Sequence, residues 1–342
     1  MLNPEGRHGK LRLDKNEHIT GLPEQLVSDA LSNVNPETIS SYPEVRPLYQ
    51  KLAKSLKISE ENLMLSAGSD PAIKSLYELF VKEGDNVILQ KPTYAMFHVY
   101  AEMFGAMSIN IEYDSKLNFD TDLLLNKISD EVQMIAIANP NSPTGCVIEE
   151  KLLEQIIKKA ANSGVVVLID EAYYPFYEKT MISYINNYEN LVISRTFSKA
   201  YGLAGLRLGY LAGNKKLIQL VMKVRPMYEI TGVAAHFGSY ILDHENLVQD
   251  YVEQTKEGKN YLVQEFKKLG YESYPTEANF IQIKIPDRKL RTLIQSELLK
   301  HDILISNNQA SPIENCIRLS IGPVKEMIKV IKEIKKVISL NK

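Results

Sequence analysis

Five consecutive apolar residues, Val165-Val166-Val167-Leu168-Ile169, followed at once by Asp170, constrain the fold of this chain more than any other feature. A run that is apolar at every position and mostly β-branched has no polar face to offer to water. It reads as a strand buried on both sides, and such strands belong to mostly parallel sheets covered by helices. Met134-Ile135-Ala136-Ile137-Ala138 has the same texture, and Val87-Ile88-Leu89 is a shorter example. Leu191-Val192-Ile193-Ser194 and Leu208-Gly209-Tyr210-Leu211 are further strand candidates. Helix-length amphipathic stretches alternate with these runs, among them about Leu48 to Leu56 and Glu149 to Ala161. The alternation predicts an α/β fold with a mostly parallel sheet flanked by helices. In such sheets ligands gather at the carboxyl ends of the strands.

With 342 residues the chain is too long for one small domain, so two are expected. Beyond His244 the texture changes: a charged helical stretch, roughly Leu247 to Leu269, leads to short strands near Phe280-Ile281-Gln282-Ile283 and Cys316-Ile317-Arg318-Leu319-Ser320. Met327 to Leu340 then reads as an amphipathic surface helix. Residues 41–245 are expected to form a large domain and residues 246–342 a smaller α+β domain, joined by an N-terminal arm, 1–40. Pro36, Ser40, Ser41 and Pro43 mark turns after Asn35.

Charge narrows the function. Forty basic residues against 42 acidic ones give a net charge of -2, so no bulk field favours nucleic acid or an anionic membrane. Any anion must be gripped locally. No run approaches the ~20 apolar residues of a membrane span. Met1 to Lys15 lacks the apolar core of a secretory signal. Cys146 and Cys316, far apart and without metal-ligand spacing, are expected to be reduced thiols of a cytoplasmic protein.

Four clusters carry chemistry, each just past a strand or ahead of a helix. In Ser194-Arg195-Thr196-Phe197-Ser198-Lys199-Ala200-Tyr201-Gly202-Leu203-Ala204-Gly205-Leu206-Arg207, a lysine lies among small hydroxyl residues, with an arginine eight positions on. This could be a solvated loop. It also suits a phosphate that carries an aldehyde: Lys199 supplies an imine-forming amine, Thr196 and Ser198 hydroxyls, and Arg207 a forked cation. In Asp170-Glu171-Ala172-Tyr173, a carboxylate ends the most apolar strand and needs a cationic partner. It would serve equally as a helix N-cap. Asn139-Pro140-Asn141-Ser142-Pro143-Thr144-Gly145 is a rigid polar turn. Ser66-Ala67-Gly68-Ser69-Asp70 leads into a helix whose first N–H groups can cradle phosphate.

Taken in order, these clusters resemble the fold-type-I, pyridoxal-phosphate-dependent (PLP) aminotransferases of class I/II, and within them the histidinol-phosphate aminotransferase branch. The likeness runs from Leu11-Arg12-Leu13-Asp14-Lys15-Asn16-Glu17 to Cys316-Ile317-Arg318-Leu319-Ser320-Ile321-Gly322. It implies a transaminase that moves an amino group from an amino donor to a 2-oxo acid, with PLP as cofactor. Lys199 corresponds to the Schiff-base lysine, Asp170 to the carboxylate on the pyridine nitrogen, and Tyr173 to the tyrosine on the phenolic oxygen. Ser69, Asp70, Thr196, Ser198 and Arg207 correspond to the phosphate site, and Tyr94 to the aromatic platform under the ring. Tyr42 corresponds to a tyrosine that reaches the phosphate from a neighbouring subunit, which implies a homodimer. Asn16 and Arg318 correspond to substrate-binding positions, although Arg318 taken alone would read as a surface cation on an edge strand.

Three positions depart from that branch. Ser142 stands where Asn usually precedes Pro-Thr-Gly, so Asn141 is expected to make the cofactor bond instead. Ser306 replaces an arginine that helps hold the substrate phosphate, and Glu229 replaces an asparagine, which would put a carboxylate in the pocket. These changes argue for a donor other than histidinol phosphate. A PLP decarboxylase on the same scaffold is the competing reading, because the cofactor motifs are shared. A nicotinamide enzyme is disfavoured, since no Gly-x-Gly-x-x-Gly follows a strand. A non-catalytic relative would be expected to lack Lys199, Asp170 or Arg207.

Overall fold

The structure, a computed structural model, describes residues 6–307 and 309–340. In chain order its strands are Leu11–Leu13 (β1), Leu63–Ser66 (β2), Asn86–Lys91 (β3), Met107–Glu112 (β4), Val132–Ala138 (β5) and Val166–Asp170 (β6). Leu191–Thr196 (β7), Gly209–Gly213 (β8), Phe280–Lys284 (β9), Ile303–Ile305 (β10) and Cys316–Ser320 (β11) follow. Strands β2 to β8 form one sheet in the order β2-β8-β7-β6-β5-β3-β4. Only β8 runs against its neighbours, β2 and β7. The α/β class read from the apolar runs is the one observed.

Why the runs are apolar is visible in β6, where every residue is buried. Val166 and Leu168 enter the core on one side of the sheet, Val167 and Ile169 the core on the other. In β5, Met134 and Ala136 divide from Ile135 and Ile137 in the same way. Burying each large side chain contributes about 1.5–3 kcal/mol, so a polar residue at any of these positions needs a specific partner. Helices close both faces. Glu150–Asn162 buries Leu153, Ile156, Ile157 and Ala160, the i, i+3, i+4, i+7 stripe of an amphipathic helix. Ser69–Phe80 buries Ala72, Ile73, Leu76 and Tyr77.

The turn expected after Asn35 is a short helix, Pro36–Ser40. Asn35 accepts from the Thr38 amide at 2.8 Å, and proline sits at the first helical position, so the same residues that signal a turn signal a helix start.

A separate core gathers the C-terminal elements. Leu13, Leu262, Phe266, Ile281, Ile331 and Ile334 pack together there, so the N-terminal arm shares a core with the end of the chain. Strand β1 pairs in parallel with β10, β9 pairs antiparallel with β11, and a bridge between Ser306 and Arg318 links β10 to β11. Among the described residues no helix is long and apolar enough to cross a membrane.

Strands β3, β5, β6 and β7 are parallel, so Lys91, Ala138, Asp170 and Thr196 end along one edge of the sheet. Gly209 pairs with both Ser66 and Thr196, which brings the loop after β2 to the same edge.

Candidate active site

The polar loops at that edge enclose a cavity of about 680 Å³. Its wall includes Asp170 and Tyr173 from the end of β6, and Thr196, Ser198, Lys199 and Arg207 from the segment after β7. Ser69, Asp70 and Tyr94 come from two helix starts, Asn16 from the arm, and Arg318 from β11. Eleven of the thirteen site residues expected from sequence therefore meet in one space.

Asp170 is 5% exposed and accepts one hydrogen bond, from the Ser194 hydroxyl at 2.6 Å. Among the described residues it has no ion-pair partner. Burial pushes its carboxyl up to about 7, with the neighbouring Glu171 acting in the same direction. Glu171 itself is neutralised by Arg195, which grips it through Nε and Nη2 at 2.9 and 2.7 Å. Asp170 is thus a buried acid that lacks a cation, and the cavity is where one would enter.

Lys199 donates from Nζ to the Lys15 carbonyl at 2.9 Å and lies 5.9 Å from the Tyr173 ring centre. Burial, helped by the Arg318 charge, brings its amine down to about 8. A lysine in that range is partly neutral at physiological pH and so nucleophilic. Tyr173 accepts from the Asn16 amide at 2.9 Å, and burial raises its hydroxyl above the usual range. Asn16 sits in the left-handed region with φ 57° and is fixed by Ser320, whose hydroxyl accepts from its backbone amide at 2.9 Å.

Another part of the wall suits an anion. Gly68, with φ 95°, turns the chain into helix Ser69–Phe80. A Cβ there would lie 2.5 Å from Arg207 Nη2. Gly209 is equally tight, since its Cβ would meet the Ser69 amide nitrogen at 2.5 Å. These two glycines let the helix start, Arg207 and the Thr196–Ser198 hydroxyls share one corner. Gly68→Ala adds both a clash with Arg207 and left-handed backbone strain. It is expected to weaken cofactor binding by roughly tenfold and to destabilise the fold by about 1–2 kcal/mol. Fluorescence titration and thermal melting check this.

Two expected residues lie elsewhere. Asn141 is fully buried and turned into its own loop: it accepts from Thr93 Oγ1 at 2.8 Å and donates to the Pro92 carbonyl and Thr144 Oγ1 at 2.9 Å each. Its amide is bonded within the loop and lies off the cavity wall, which Ser142 lines instead. Tyr42 is 74% exposed, stacked on Tyr228 with ring centres 4.0 Å apart, and outside the cavity wall of its own chain. Glu229, expected as a pocket carboxylate, is also outside that wall and pairs with Arg225 at 2.7 Å. Missed by sequence reading were, among others, Ser194, which bonds Asp170, and the wall residues Gln309 and Ala310. Ser194 was signalled only by being polar in an apolar strand, and the other two by nothing in the sequence.

The residues fit pyridoxal phosphate. One cavity holds an amine near neutrality, a buried acid in need of a cationic ring nitrogen, and a hydroxyl- and arginine-lined helix start. Comparison with known proteins agrees. The family model described as aminotransferase class I and II matches residues 10–334. The histidinol-phosphate aminotransferase of Clostridium novyi (strain NT) is 31% identical over 337 residues, which cover 97% of this chain and 92% of that protein. That of Thermoanaerobacter sp. (strain X514) is 30% identical over 318 residues, covering 92% of this chain and 89% of the relative. The crystal structure of histidinol-phosphate aminotransferase from Sinorhizobium meliloti in complex with pyridoxal-5'-phosphate superposes with a TM-score of 0.89. At 22% identity, covering 100% of this chain and 96% of that one, it speaks for the fold. On the family match over nearly its whole length, the chain belongs to the class I and II aminotransferases and is a pyridoxal-phosphate-dependent transaminase.

Proposed function

We propose that this transaminase takes its amino group from a donor whose anionic end is held by Arg318, and that histidinol phosphate is not its best donor. The observation that carries this reading is the state of Arg318. Its guanidinium donates from Nη2 to the Asp14 carbonyl at 2.6 Å, while Nε is buried with no partner. No carboxylate pairs with it among the described residues, and burial lowers its proton affinity. A desolvated cation facing a cavity is an anion site. Beside it, across the β10–β11 bridge, stands Ser306, whose hydroxyl accepts from Gln309 Nε2 at 2.9 Å. That pair is neutral. A dianionic phosphate would meet a single arginine and a hydroxyl there, whereas a carboxylate is matched in charge.

Bound in this site, PLP supplies an aldehyde for an amine to capture and a ring that accepts electrons from the donor's Cα. The chain's residues do the rest. Asp170 stabilises positive charge on the cavity wall it shares with Lys199. Ser69, Thr196, Ser198 and Arg207 hold a phosphate, and Asp70, on the same wall, accepts from the Tyr94 hydroxyl at 3.3 Å. Tyr94 offers its ring as a platform, and Tyr173 a hydroxyl oriented by Asn16. Lys199 Nζ takes the proton from the donor's Cα and returns it. In this division residues 41–245 carry the cofactor, while residues 246–342 and the arm, 1–40, carry the donor's anion.

A half-reaction screen tests the donor: the PLP form is mixed with amino acids and phosphorylated amines, and conversion to the pyridoxamine form is followed by absorbance. Carboxylate donors are expected to react fastest. Preference for histidinol phosphate would overturn the donor assignment. Carbon dioxide release without any oxo acceptor would favour the decarboxylase. Arg318→Ala is expected to raise the donor KM by about 10–100-fold, the worth of one charge-assisted contact, without loss of thermal stability. Steady-state kinetics with the best donor checks this.

The active unit is proposed to be a homodimer, working in the cytoplasm. Tyr42 and Tyr228 stack on each other, and both are exposed, as are their chain neighbours Ile39 and Met227; apolar side chains of this kind are what a second copy would cover. Both cysteines are free thiols. Light scattering at twice the chain mass is the expected result.

A further inference from the structure

We propose that Ser194 is a positioning residue for Asp170: its hydroxyl fixes one carboxylate oxygen so that the other is presented, ionised, to the cavity. This rests on the cofactor reading above and assigns a role to a residue outside the cavity wall. Strands β6 and β7 are parallel, and Asp170 is the register partner of Ser194. The two side chains therefore lie on the same face of adjacent strands. Ser194 is fully buried at the end of the apolar run Leu191–Ile193. A hydroxyl there is unfavourable unless it has a partner, and its partner is Asp170 Oδ1 at 2.6 Å, the short distance of a charge-assisted bond. Oδ2 has no protein donor among the described residues.

Among the described residues no other hydrogen-bond donor holds the Asp170 carboxylate. Arg195, the nearest strand cation, is spent on Glu171 and on the Tyr174 ring, 3.5 Å away. The other charges that act on Asp170 are Lys199, which favours its ionised form, and Glu171 and Asp70, which oppose it. Of the influences that favour a presented carboxylate over a protonated acid, which would offer a ring nitrogen no charge, the Ser194 hydroxyl is the one that holds it by a hydrogen bond.

The test is a cycle of holoenzymes carrying Ser194→Ala, Ser194→Thr, Asp170→Asn, and Asp170→Asn with Ser194→Ala, read by the equilibrium dissociation constant for pyridoxal phosphate. Ser194→Ala should weaken binding by about tenfold, as expected for one hydrogen bond to a charged group, and Ser194→Thr should restore most of it. In the Asp170→Asn background Ser194→Ala should change nothing, because there is no carboxylate left to hold. Undiminished binding by Ser194→Ala, or an equal loss in both backgrounds, overturns the proposal. An infrared readout on the cofactor-free protein separates this from failure of the cofactor reading. The carbonyl stretch of protonated Asp170, assigned by its loss in Asp170→Asn, should persist to higher pH in Ser194→Ala. If the wild-type chain bound no pyridoxal phosphate yet showed that displacement, the cofactor reading would fail and the positioning role would stand.

Discussion

Lys199→Ala is expected to lower transamination by at least about 10³-fold while leaving a folded protein. The loss is large because the amine has two roles in this reading, capture of the cofactor and proton transfer at Cα. General acid–base transfer alone is worth ~10²–10⁴-fold, and 10³-fold corresponds to about 4 kcal/mol of barrier. Folding should survive because the side chain builds little: among the described residues its only hydrogen bond is to the Lys15 carbonyl. Stability should in fact move the other way at low pH. The amine is brought from its ordinary value of 10.5 down to about 8 in the fold, so between those values the unfolded chain binds more protons than the folded one. Wild-type stability therefore rises as pH climbs through that window. The alanine variant lacks this slope, so its relative advantage is greatest below pH 8 and vanishes above 10.5. Melting curves of cofactor-free wild type and variant across this range, with borohydride labelling of wild type alone, check both halves. Full turnover by the variant, with a different lysine labelled, would move the assignment elsewhere.

The same segment illustrates why much of the site was legible in the sequence. A lysine flanked by hydroxyls and followed by an arginine is a composition imposed by a ligand, since no packing rule requires it. The apolar run ahead of Asp170 was legible because burial on both faces leaves no position free to be polar. Strand β4 was not picked out because it is an edge strand whose mixed burial dilutes any pattern. Strand β2, at four residues, is too short to carry one. That Ser142 and not Asn141 lines the cavity has a geometric cause: of two adjacent polar residues in a turn, only three-dimensional bonding decides which one faces the open space. Here Thr93, Pro92 and Thr144 claim Asn141. Gln309 was invisible for another reason. It reaches the cavity only because β10 and β11 lie side by side, and no local pattern encodes that. Arg318 was legible through family resemblance alone, and its significance, a cation without a counter-charge, belongs to the folded arrangement.

Asp170→Asn should separate function from stability more sharply than any other substitution. Activity is expected to fall by roughly 10²–10⁴-fold, because removing one member of a buried charge pair costs about 3–5 kcal/mol. Yet the cofactor-free variant should be more stable than cofactor-free wild type at pH 8. The sign follows from burial. In the fold the Asp170 carboxyl is raised from 3.8 to about 7, so between these values the folded state binds more protons than the unfolded one. Its contribution to stability is therefore fully present below pH 3.8 and is lost as pH rises through about 7. Asparagine, always neutral, has no such loss. Saturating pyridoxal phosphate should invert the ranking, since the ring nitrogen gives the wild-type carboxylate its missing partner and gives the amide nothing comparable. Melting temperatures of both proteins with and without cofactor, from pH 4 to 8, contain the whole argument. A wild-type protein that is the more stable in the absence of cofactor at pH 8 would mean that Asp170 is already neutralised by the protein, and would remove the reason for a cationic ring in the cavity.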